Sequence, residues 1–184
     1  MPSAPSLRTL LAIAVVAATV LLAAGCGSSK KNAETSTQAS TTTQWAGGLC
    51  SALTTYTKAL TDAASTLTGN LTASGMKDAA TSIKSATNTF VSDTKNLGKP
   101  DTSAGQQAKA TIDTLSTNLN KDVSTIQDAT GSGLLKGAST ITTTLTTVQS
   151  QITTAFNDLK SLDAKGELSK AFSEAPSCAS LKSK

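Results

Sequence analysis

From residue 45 onward, apolar side chains recur at steps of three and four, the spacing that gathers them on one face of an α-helix. The first run is Trp45, Leu49, Leu53, Tyr56, Leu60, Ala63 and Leu67, and Gly69-Asn70 follows it as a stop and turn signal. The second passes through Met76, Ala80, Ile83, Ala86, Phe90 and Leu97, with Thr94 filling one slot, and Gly98 and Pro100 close it. The third is Ala104, Ala108, Ile112, Leu115, Leu119, Val123 and Ile126. Asp101, Thr102 and Ser103 stand before it as candidate N-caps, and Gly131-Ser132-Gly133 stands after it. The fourth is the most regular: Leu134, Ala138, Ile141, Leu145, Val148, Ile152, Ala155, Leu159 and Leu162 alternate steps of four and three, a heptad seam. Gly166 ends it. A short amphipathic piece with Leu168 and Phe172 leads to Pro176, Cys178 and Leu181.

This pattern predicts an all-α fold: an antiparallel up-down-up-down four-helix bundle with a short C-terminal helix. Each helix would hold about 24–30 residues and extend about 36–45 Å. Short connections make sequence neighbours antiparallel. Threonine argues the other way. Thr142, Thr143, Thr144, Thr146 and Thr147 crowd the fourth run, and threonine favours strands over helices. Strand alternation is absent, however, and propensity differences of a few tenths of a kcal/mol per residue yield to burial of a continuous seam. The threonine-rich faces are expected as uncharged, hydrated surface.

The first residues follow a different rule. Arg8 precedes a charge-free apolar run from Thr9 to Gly25, a secretory signal pattern slightly short for a membrane span. The run ends Leu22-Ala23-Ala24-Gly25-Cys26. In these residues the chain resembles bacterial lipoproteins, whose lipobox places small residues before an invariant cysteine; Ala23 stands where that pattern most often has Leu. The resemblance covers residues 1–26 alone. It implies a signal peptide over 1–25, a diacylglyceryl group on Cys26 as the first mature residue, and a partner in membrane lipid through Cys26. It also implies a location on the extracytoplasmic face of the cell membrane. Two or three acyl chains, at about 0.8 kcal/mol per buried CH₂, would hold such a protein firmly.

Residues 27–44 are mostly Ser, Thr, Gln and Lys, with nothing apolar larger than Ala. Together with Cys26 they read as a disordered Ser/Thr-rich tether over 26–44, since they cannot bury enough surface to offset ordering entropy. Lys30 and Lys31, near the lipid, are either solvated charges or a source of about 1 kcal/mol each of attraction to anionic headgroups. The bundle domain then occupies 45–184.

Assigning Cys26 to lipid leaves Cys50 and Cys178. Two cysteines in an exported chain point to one disulfide, here closing nearly the whole domain. A redox pair lacks its Cys-x-x-Cys; two free thiols are the other alternative. An up-down-up-down path would return the end of the fourth helix to the end where the first begins, which is where Cys50 and Cys178 would meet.

Composition narrows the chemistry. There is no histidine, which removes the Ser-His-Asp triad and every His-ligated metal site. Three cysteines cannot build a four-thiolate centre. No cofactor or metal is expected. The net charge is +4, but Arg8 is the single arginine, so bidentate recognition of phosphates or base edges is poorly served and no nucleic acid is expected. Ser92-Asp93-Thr94-Lys95 and Ser28-Ser29-Lys30-Lys31 fit Ser-x-x-Lys, without the companion motifs that make it catalytic. Gly131-Ser132-Gly133-Leu134-Leu135-Lys136-Gly137 lacks the end of a phosphate loop and reads as a turn. Asp158, Asp163 and Glu167 read as solvated charge, and Asn70-Leu71-Thr72 as an incidental sequon. Trp45, the only tryptophan, is expected either to cap the bundle end over the disulfide or to stand out as an interaction anchor.

The functional expectation is a non-enzymatic, lipid-anchored structural or protein-interaction module of the bacterial envelope, with an unidentified envelope protein or polymer as partner. The alternative is a carrier or sensor that binds a small apolar ligand between helices.

Overall fold

A computed structural model of the chain describes residues 33–181. The signal segment, Cys26, Lys30 and Lys31 lie outside the described residues. All regular structure among the described residues is helical. Helix α1 spans Ala33–Gly69, α2 Ala73–Leu97, α3 Gly105–Ala129, α4 Leu134–Ser161 and α5 Glu167–Glu174; a 3-10 segment, Pro176–Leu181, follows.

The first three stops fall where the punctuation placed them, but α4 ends at Ser161, and Gly166, at φ 71°, stands before α5 rather than closing α4. Gly98, at φ 64°, follows α2 in the backbone region open to glycine. The starts are less faithful. Thr72 caps α2 by accepting from the Gly75 amide at 3.1 Å, whereas α3 begins after Ala104 with no side-chain cap, so Asp101, Thr102 and Ser103 do not serve as one.

α1 is longer than periodicity alone suggests. It has 37 residues and begins at Ala33, so Ala33 to Gln44 are helical where composition predicts a tether. Thr42, only 4% exposed, shows why the helix continues. It lies three and four positions before Trp45 and Ala46 and carries the buried stripe one turn further. Extending an existing helix costs far less than starting one.

Each long helix touches the next, and α4 returns to α1, closing a ring of four. α1 and α4 meet over a shorter stretch than α1 and α2 or α3 and α4, while α5 and the 3-10 segment pack on α1. The core holds every residue of the first and third predicted runs. In the fourth, Ile141 through Leu159 are buried while Leu134 is exposed. In the second, Thr87 takes the place expected of Ala86: Thr87 is fully buried and Ala86 only partly. The positions 76, 80, 83, 87, 90 and 94 keep strict steps of four and three, so geometry selects Thr87 over a neighbour that is merely apolar.

Threonine is reconciled with the helix through its hydroxyl. Thr57, Thr61, Thr81, Thr94, Thr117, Thr142, Thr144 and Thr153 each donate to the carbonyl four residues earlier, at 2.8–3.0 Å. This bond lets threonine sit in a helix interior without an orphaned hydroxyl. Four threonines are buried: Thr94 in the slot predicted for it, Thr42 and Thr87 where none was predicted, and Thr144 within the stretch of the fourth run expected as hydrated surface.

Candidate functional site

The disulfide end is built from α1, α5 and the 3-10 segment. Cys50 and Cys178 are bonded, their Cα atoms 5.0 Å apart across 128 positions, and both are fully buried. Trp45, one turn and a half before Cys50 on α1, is 6% exposed. Its ring meets Phe172 edge-on at 6.1 Å, and Phe172 meets Phe156 at 5.1 Å in the same manner. Such edge contacts align a ring's positive rim with its neighbour's negative face. The indole Nε1 donates to the Gly98 carbonyl at 3.1 Å. Trp45 therefore caps the bundle end, and the alternative of an exposed anchor is corrected by its burial and its committed N–H.

Two polar pairs lie between the helices, one in the core and one half-buried. Tyr56 on α1 stacks on Phe90 at 5.3 Å, and its hydroxyl shares a 3.0 Å hydrogen bond with Thr87 on α2. Burial pushes the Tyr56 phenol up to about 12; the Thr87 bond works against this and the nearby Asp122 carboxylate adds to it. Asp122 on α3 is itself raised above the ordinary carboxylate range, again by burial, with the Gln151 side chain of α4 opposing. Asp122 Oδ2 and Gln151 Oε1 are buried without a hydrogen-bond partner. Each long helix thus supplies one polar side chain, Tyr56 and Thr87 within the core and Asp122 and Gln151 half-buried. Sequence reading missed them, although Thr87, in register with the apolar seam, was the available signal.

The expected solvated charge at the end of α4 divides. Asp158 and Glu167 are exposed. Asp163 is buried, and its two oxygens accept from the Lys165 amide and the Leu168 amide, each at 3.0 Å, holding the turn that starts α5. A charge that receives backbone N–H groups at a helix start is satisfied there. Ser92 and Lys95 are exposed on α2, and Thr94 between them donates to the Phe90 carbonyl. Among the described residues no three His, Cys, Asp or Glu converge on a metal position.

Several concavities lie along the helices, two of them beside α4. A groove of about 750 Å³ between α3 and α4 is walled by Gln107, Thr111, Asn118, Thr147, Gln151 and their neighbours, mostly amides and hydroxyls. A cleft of about 490 Å³ lies between α1 and α4, with Leu53, Ile152, Phe156 and Leu181 apolar and Lys160 at its rim. Leu71, Leu134 and Leu135 are exposed in the α1–α2 connection and the first turn of α4, Leu135 by 77%. Among the described residues no helix is long and apolar enough to cross a membrane.

Compared with known proteins, the chain matches no family model, no curated sequence and no solved structure.

Proposed function

We propose that the protein is a non-enzymatic lipoprotein of the bacterial envelope, held by acyl chains on Cys26 at the extracytoplasmic membrane face. On this reading residues 1–25 are removed as a signal peptide. The four long helices run up-down-up-down and antiparallel. The observation that carries the reading is the buried Cys50–Cys178 bond. Structural disulfides persist in oxidising compartments outside the cytoplasm, and that is the address which the Leu22-to-Cys26 segment encodes on independent grounds.

The exposed leucines supply the interaction surface. In an antiparallel bundle the α1–α2 and α3–α4 connections share one end, opposite the disulfide. Consistent with that, a Cβ at Gly137 in the first turn of α4 would lie 3.1 Å from Met76 Sδ in the first turn of α2. Leu71, Leu134 and Leu135 would then form an apolar tip facing away from the anchored end, available to a partner protein.

The test is metabolic labelling of the full chain with an alkyne analogue of palmitate. The wild type should take up label and sit with membranes, accessible to protease on intact spheroplasts. Cys26→Ala should lose both label and anchoring. An unlabelled wild-type chain would end this reading. A second reading, the carrier or sensor of a small apolar ligand, is favoured by the cleft between α1 and α4.

A further inference from the structure

The geometry points to the cleft between α1 and α4 as a binding site for one free fatty carboxylate, its acyl chain along the helices and its carboxylate on Lys160. The inference rests on the second reading above and gives it a site and a ligand class.

The cleft lies where α4 packs less closely on α1 than on its other neighbour, α3. Leu53 and Ile152 lie beneath it and are almost wholly buried, Phe156 and Leu181 are partly exposed along its wall, and Thr57, Thr61, Gln149, Thr153 and Asn157 supply hydroxyl and amide groups between them. The lining runs from position 53 to 61 on α1 and from 149 to 160 on α4, a length of about 12–17 Å at the helical rise. A volume of about 490 Å³ lies toward the small end of ligand pockets, which span roughly 300–1,000 Å³. That length and volume suit one extended chain.

The charge at the rim selects the head group. Among the described residues that line it, Lys160 alone is charged. Its ammonium stands 5.6 Å over the Phe156 ring, a cation–π contact that keeps it at the mouth of the cleft. The ion pairs among the described residues, Lys58–Asp62, Lys109–Asp113 and Lys170–Glu174, do not use it. A compact cation beside the exposed parts of Phe156 and Leu181 is complementary to a carboxylate on an acyl chain, and a lysine offers a point charge rather than the fork that favours larger oxyanions.

The 3-10 segment completes the wall. Leu181 belongs to the cleft, and Cys178, three residues earlier, is bonded to Cys50 on α1. The disulfide therefore holds one side of the site in place.

Equilibrium dialysis of the full chain against labelled dodecanoate, below its micelle-forming concentration, tests the inference. Saturable binding at one equivalent is expected. Lys160→Gln should weaken dodecanoate about fivefold and leave dodecanol unchanged. Thr153→Trp, at an exposed rim position, should fill the trough and abolish binding of both without lowering the melting temperature. Cys26→Ser should bind dodecanoate as the wild type does, so failure of the anchor and failure of the cleft are read separately. The inference is overturned by absence of saturable binding, by undiminished binding in Thr153→Trp, by an equal effect of Lys160→Gln on acid and alcohol, or by binding confined to anionic vesicles.

Discussion

The indole nitrogen of Trp45 reaches across 53 positions to the carbonyl of Gly98, at 3.1 Å, and ties the body of α1 to the end of α2. The carbonyl is free to accept because Gly98 has left the helix, at φ 64°. Trp45→Phe keeps an aromatic body against Phe172 and removes the donor. It should lower stability by about 1 kcal/mol, and Trp45→Ala by about 3–5 kcal/mol. Urea unfolding followed by circular dichroism measures both. Equal losses for the two variants would show that the hydrogen bond, and not the aromatic body, holds this end.

The disulfide acts on the unfolded chain. Closing a loop of 128 positions removes about 5 kcal/mol of chain entropy in the loop-closure model. The Cys50→Ser, Cys178→Ser double variant should lose about 3–5 kcal/mol and remain helical. An unchanged urea midpoint would mean that α5 and the 3-10 segment dock on α1 without help from the bond.

Tyr56 is the only tyrosine, so phenolate absorbance reports it without interference. Its midpoint should fall near 12 rather than at the ordinary 10.0. The folded state then binds more protons than the unfolded state between those values, so stability falls as pH rises through that window. The loss is about 2–3 kcal/mol at most, at about 1.4 kcal/mol per pH unit. Tyr56→Phe should remove this component of the alkaline loss. A wild-type midpoint at the ordinary value would show that water reaches the Tyr56–Thr87 pair.

Asp122 carries the opposite opportunity. Its carboxyl is raised, so its charge is held at a cost once the pH exceeds its folded value. Asp122→Asn should raise the urea midpoint at neutral pH, and the gain should shrink in acid, where the native carboxyl is already protonated. A gain independent of pH would point to packing as its cause.

Gly137 and Gly69 make a matched pair. A Cβ at Gly137 would collide with the Ala129 carbonyl and press on Met76 Sδ, while one at Gly69 meets nothing within 4 Å. Gly137→Ala should therefore destabilise by about 1–3 kcal/mol despite alanine's better helix propensity. Gly69→Ala should be neutral or stabilising by up to about 1 kcal/mol. Thermal unfolding of both variants checks the contrast.

Much of the helical architecture was legible because its cause is local and repetitive. Steps of four and three bring apolar residues to one face, and glycine and proline end helices for reasons confined to one or two residues. This is why Leu49 to Leu67, Ala108 to Ile126 and Ile141 to Leu159 could be assigned from periodicity, and why Gly69, Gly98 and Gly131 to Gly133 mark real boundaries. The pairing of Cys50 with Cys178 followed from counting once Cys26 was set aside. Polar residues carry no such label. Whether threonine lies in a core or on a surface depends on register, so Thr87 was passed over for Ala86. Whether a carboxylate is solvated or caps a turn depends on where the backbone goes next, so Asp163 looked like surface charge.

The amino-acid order alone thus decided the class of fold, the reach of most helices and the residues that could meet in a covalent bond, because helical periodicity and residue conformational preference act within a few positions. Packing decided the remainder. It buried Trp45 against Phe172, carried the buried stripe of α1 back to Thr42, placed the Tyr56–Thr87 pair in the core and left the cleft beside Lys160. Each of these depends on which surfaces face one another, and that is determined only when distant segments compete for the same buried space.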